Sequence, residues 1–92
     1  MNPKKMPSAE IEKVGVALSN LVNKNMWEAA KTLVTIAGID LKKVENREKL
    51  KDDLRLDYSN DLIPYPGELA TGFLNALVDM LVIYVEAVRR EK

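Results

Sequence analysis

Any chemistry in this chain has to come from oxygen and amine side chains. Its 92 residues include no cysteine and no histidine. That removes the thiolate nucleophile, the Cys-based zinc site, the commonest general base and the commonest metal ligand together. Nucleophilic catalysis needs a hydroxyl beside a base that a third group orients. The serines are Ser8, Ser19 and Ser59; Ser8 reads as a helix N-cap and Ser59 as a turn residue, and only carboxylates and lysines could serve as bases. Asp52 and Asp53 are adjacent, so on a helix their side chains diverge by about 100° and do not converge on a substrate. There is no Gly-rich phosphate loop and no strand pattern to carry one. The residue set predicts a protein that is not an enzyme and holds no cofactor.

Two constellations could still bind something. Asp57, Ser59, Asp61 and Glu68 fall at positions 1, 3, 5 and 12 of a twelve-residue stretch between two expected helices. This resembles the ligand spacing of an EF-hand calcium loop, with the Ile63 carbonyl at position 7. Position 6, where the loop turns on glycine, holds Leu62, and Pro64 and Pro66 stiffen the stretch. Calcium is therefore an alternative reading, set against one in which the aspartates make turns and Glu68 favours a helix N-terminus. The second constellation is a stripe of Lys43, Arg47, Lys51 and Arg55, one basic residue every four, which could meet phosphates along one helix edge. Glu45, Glu48, Asp52 and Asp53 interleave with it at salt-bridge spacing and no aromatic is placed for base stacking. A charge-laced solvated face accounts for it better than nucleic acid, which stays a weak alternative. The balance of fourteen basic and fourteen acidic residues provides no long-range field for a polyanion either.

The elements that must position these residues read as helices throughout. With 47% apolar and 30% charged residues, the chain is suited to a folded core, and one domain is the default at this length. Residues 1–7, with Pro3 and Pro7, predict a flexible N-terminus, and 8–92 a single domain. A first helix from Ser8 carries Ile11, Val14, Leu18, Leu21 and Val22 on its apolar face. Gly15 lies on that face, where a missing side chain lets another helix approach. Asn25 caps a second helix with Glu28 as its capping-box partner. Its stripe is Met26, Ala30, Leu33, Val34 and Ala37, flanked by Trp27, and Gly38 ends it with Ile39 behind. A third helix is short or broken: Asp40 caps a turn around Leu41 and Val44, and a fresh start near Asn46 carries Leu50, Leu54 and Tyr58. Residues 59–67 read as a loop, and Pro66 suits the first position of a fourth helix. The expected fold is all-α, a small antiparallel bundle of four helices with the fourth longest and most buried.

That fourth helix shapes the functional expectation. The segment 69–88 is long enough to span a bilayer, but Asp79 and Glu86 would each cost roughly 2.5–3.5 kcal/mol there, so no membrane is expected. The start of the chain has no apolar run behind its lysines, and cytoplasmic residence is the simplest expectation. Abundant Lys and Glu without glutamine lean towards a thermophilic source, and seven asparagines lean the other way. Phe73, Leu77, Met80, Tyr84 and Val88 form one apolar row. Leu74, Val78, Leu81 and Val85 form a second, more than a one-sided helix needs. The second row predicts a partner interface, with another copy or another protein.

Overall fold

Trp27 is the bulkiest side chain in the sequence, and burying it decides how the first helices meet. The computed structural model describes residues 6–91, so most of the expected flexible segment 1–7 lies outside the described residues. Among the described residues five helices follow one another: α1 (Ser8–Ser19), α2 (Met26–Ala37), α3 (Val44–Asp57), α4 (Ser59–Leu62) and α5 (Gly67–Glu91). Among the described residues there is no strand, and the helices pack as a small all-α bundle. α1 makes its most extensive contact with α5, and α2 and α3 pack on other sides of that same helix.

α1 buries most of its expected face, with Leu18 and Val22 packed against the core, but not all of it. The buried residues are Ile11, Gly15 and Ser19, while Val14 and Leu21 are 45% and 67% exposed. The reason is the indole. A Cβ on Gly15 would lie 2.4 Å from the Trp27 ring, so the ring lies against the bare backbone there. A fully buried residue of this size needs a flat partner, and the small residues of α1 provide it. Ser19 is wholly buried, and its hydroxyl donates to the Val16 carbonyl of its own helix at 2.9 Å, which removes the desolvation cost of a bare hydroxyl.

Trp27 itself is fully buried and no mere flank to the α2 stripe. Its ring meets Tyr84 of α5 edge to face, with centroids 5.7 Å apart. α2 ends as the sequence indicates: Gly38 adopts φ +63°, and the Ile39 N–H donates back to the Val34 carbonyl at 3.1 Å, closing the last turn with an apolar residue behind it. The two expected side-chain caps do not form. Asn25 makes no cap hydrogen bond. α1 is preceded by Pro7, and Ser8 instead donates from N and Oγ to the Glu91 carboxylate at 2.8 and 2.6 Å. Pro7 fixes an extended entry into the helix, which frees the serine to tie the start of α1 to the end of α5.

The third region has the expected turn before its helix, and the helix restarts two residues earlier than expected. α3 starts at Val44 and runs to Asp57, burying Leu50 and Leu54. Asp40 makes the turn before it, accepting the Lys42 N–H on Oδ1 at 3.0 Å. Beyond Tyr58 the chain forms the single turn α4, where a loop is expected, because Leu62 is drawn into the core at 7% exposure. α5 is the longest helix and contributes more core residues than any other: Ala70, Leu74, Leu77, Val78, Leu81 and Ala87. It is also long and apolar enough to cross a membrane by length and composition.

Candidate functional site: an apolar seam along α1 and α5

The expected partner row does not face outward. Leu74, Val78 and Leu81 are at most 1% exposed, and Val85 is half-buried against the core. They hold the bundle together and cannot meet a partner in the folded chain. The correction follows from where the neighbours sit. α3 reaches α5 through Lys51, which donates to Asn75 Oδ1 at 2.8 Å, and through Arg55, which donates to Thr71 Oγ1 at 3.3 Å. With α3 on that side and α2 over Tyr84, the row between them is enclosed.

The surplus apolar surface lies on the other edge of α5. Leu69 and Ile83 are 56% and 44% exposed, Ala76 is exposed, and Phe73 and Met80 are half-buried. These five follow at steps of four, three, four and three residues, the spacing of a straight seam along a helix. Val14 and Leu18 of α1 and Leu21 in the turn after it follow at the same steps, Val14 and Leu21 exposed and Leu18 half-buried. At the start of α5 the turn after α1 and the end of α4 enclose with it an apolar groove of about 270 Å³, lined by Leu21, Val22, Leu62, Tyr65, Leu69, Ala70 and Phe73. Tyr65 closes one side, its hydroxyl donating to the Leu21 carbonyl at 2.8 Å. The step pattern was present in the sequence; which of the apolar rows faces out depended on the placement of α1 and α3.

The acidic stretch does not gather around an ion. Asp57 ends α3, Ser59 and Asp61 lie in α4, and Glu68 is in the first turn of α5. Helical turns point these oxygens apart, and among the described residues no three acidic groups come together to hold a metal. Leu62, at the position needing glycine, takes helical backbone and buries its side chain. No non-glycine among the described residues has positive φ, so the sharp turn of a wrapping loop is missing.

Nor does the basic stripe project into solvent as a row. Arg47 Nη1 donates to the Leu41 carbonyl at 2.7 Å, Lys51 binds Asn75 and pairs with Glu48, and Arg55 reaches Thr71. Only Lys43, next to the start of α3, makes no such side-chain contact among those described. Three of the four cations therefore fasten α3 to the preceding turn and to α5, which compensates for a helix with only two buried residues.

A third polar cluster lies between α1, α2 and α5. Lys31 pairs with Glu12 and with Glu28, and its ammonium sits 5.5 Å from the Tyr84 ring centroid. Burial alone would lower the Lys31 pKa, but the hydrogen bonds to Glu12 and Glu28 outweigh it and hold it above the ordinary value of 10.5. Burial, and then the Glu12 carboxylate, push the Tyr84 hydroxyl above 10.0. Tyr58 is raised too, by burial and then by Asp57 and Asp61. Lys31 and Tyr84 both hold their protons more tightly than they would in water, and the cluster clasps α1, α2 and α5 together. The sign of its pH effect is fixed. Groups that bind protons more tightly folded than unfolded contribute stability below their unfolded pKa and lose it as pH rises through the folded one. The urea midpoint is therefore expected to hold up to about pH 9.5 and to fall above about pH 10. Tyr84→Phe is expected to flatten that fall; an unchanged slope would remove Tyr84 from the account.

No family model, curated protein or solved structure matches the chain.

Proposed function

We propose that this protein is a small helical interaction module without catalytic activity, and that it binds another protein surface through the α1–α5 seam. The observation that carries this reading is the α5 row of exposed Leu69, Ala76 and Ile83 with half-buried Phe73 and Met80 between them, and exposed Leu21 next to its start. A continuous apolar row at helical steps is what an amphipathic helix packs against. The flank favours protein over lipid: the outer edge of the α5 row carries Gly72, Asp79 and Glu86, whereas helices that lie on membranes place Lys and Arg there. The other polar clusters are occupied by structure, Lys31 by its two carboxylates and the α3 cations by carbonyls and amides, and this supports the non-catalytic reading.

A photo-reactive residue placed at 69 or 83 tests it in cells producing the full chain. Adducts of defined mass are expected from those two positions and not from exposed Asp52 on α3. Equal labelling from position 52, or none from 69 and 83, would remove the seam as the binding surface.

A further inference from the structure

We infer that the partner on the seam is a second copy of this chain, with the two α5 helices antiparallel about a two-fold axis that crosses the seam at the height of residue 78. The inference rests on the reading of the seam as the binding surface and adds the identity of its occupant. The sizes along the row are self-complementary. With the axis at that level, Ala76 of one copy faces Met80 of the other, and Phe73 faces Ile83, so each small or flat position meets a large one. A parallel pairing would set Ala76 against Ala76 and leave a gap at the centre of the seam.

The two ends match as well. Ile83 of the second copy arrives at the apolar groove of about 270 Å³ beside Leu69 and Phe73. Leu69 of that copy arrives at the cleft of about 330 Å³ lined by Met6, Pro7, Ala87, Arg90 and Glu91. Fourteen residues of helix separate Leu69 from Ile83, about 21 Å, and one two-fold operation satisfies both ends because each copy carries both the projecting side chain and the recess. A symmetric surface of this kind closes on itself and does not propagate into a fibre. The two recesses add to the surface that pairing covers, which a specific contact needs to bring to roughly 1,000 Å² or more. With two projecting side chains per copy, a weak complex in the micromolar range is expected.

The arrangement has one unfavourable contact, which makes it specific. Asp79 flanks the row next to the axis, so the two Asp79 carboxylates approach across it. Asp79→Asn is expected to tighten association about fivefold, the effect of removing one like-charge contact near water.

Sedimentation of the full chain from about 2 to 200 µM is expected to show a monomer–dimer equilibrium in the micromolar range. Ile83→Lys is expected to be monomeric with unchanged circular dichroism. Because the chain has no cysteine of its own, register is read by oxidation. Ala76→Cys mixed with Met80→Cys is expected to cross-link more readily than either variant alone. A parent that stays monomeric at 200 µM overturns the inference, as does Ala76→Cys alone cross-linking as well as the mixture. If the monomer still gives photo-adducts with a different protein from position 83, the second copy is wrong and the binding surface stands. If a dimer persists unweakened in Ile83→Lys, the surface itself is wrong.

Discussion

Leu81→Lys is expected to unfold the chain at 25 °C, whereas Ile83→Lys, two residues further along the same helix, is expected to leave it folded. Leu81 is 1% exposed and Ile83 44%. Removing the Leu81 side chain forfeits about 2–5 kcal/mol of burial and packing. An ammonium forced into that space adds a desolvation cost or must lose its proton. A domain of this size holds roughly 5–10 kcal/mol in total, so the sum exhausts most or all of it. Ile83→Lys moves a side chain already in contact with water and is expected to cost within about 1 kcal/mol. Circular dichroism melts of both variants, at a concentration low enough to keep the parent monomeric, decide the matter. A folded Leu81→Lys would return Leu74, Val78 and Leu81 to the surface and with them the orientation of α5.

This pair of residues also shows how far the sequence could be read. Helices, their order and the dominance of the last one were legible because apolar residues recur at helical steps and prolines and Gly38 punctuate them. The orientation of α5 was not. Apolar residues run most of the way round the helix, through rows 74–78–81–85, 73–77–80–84–88 and 69–73–76–80–83, and hydrophobicity cannot rank them. The choice was made by polar contacts of long sequence separation, Lys51 to Asn75 and Arg55 to Thr71, on residues that read as a solvated stripe. The same limit applied to α1. Val14 and Leu21 have the apolar chemistry of a core, yet the core took Ser19 alongside the expected Ile11 and Gly15, because a buried indole selects for shape and not only for hydrophobicity. The EF-hand-like spacing was legible as spacing, but Leu62 pulled the stretch into a helical turn and dispersed its oxygens.

The contact between Trp27 and Gly15 gives the second large effect, and its two sides are expected to be coupled. Trp27→Ala should cost about 3–5 kcal/mol, as for other large aromatic truncations in a core, enough to leave the domain marginal. Gly15→Ala is the informative partner. In an exposed helix interior this change would stabilise by about 1 kcal/mol. Here the new methyl meets Trp27 Cε3, Cδ2 and Cζ3 at 2.4–2.5 Å, and the ring is held between α1 and Tyr84, so it cannot swing away. Overpacking of this kind costs about 1–3 kcal/mol, and the expected result is a net loss, read as a melting temperature lower by several degrees. All three crowded atoms belong to the indole's six-membered ring. Trp27→Phe takes much of that ring away, and also a buried Nε1–H that has no acceptor among the described residues. In the Trp27→Phe background, Gly15→Ala is therefore expected to be neutral or stabilising, partly filling the space the smaller ring leaves. Urea titrations of the two single variants and the double variant measure the interaction directly. Additive losses would mean that the indole does not rest on Gly15, and that α1 presents some other face to the core.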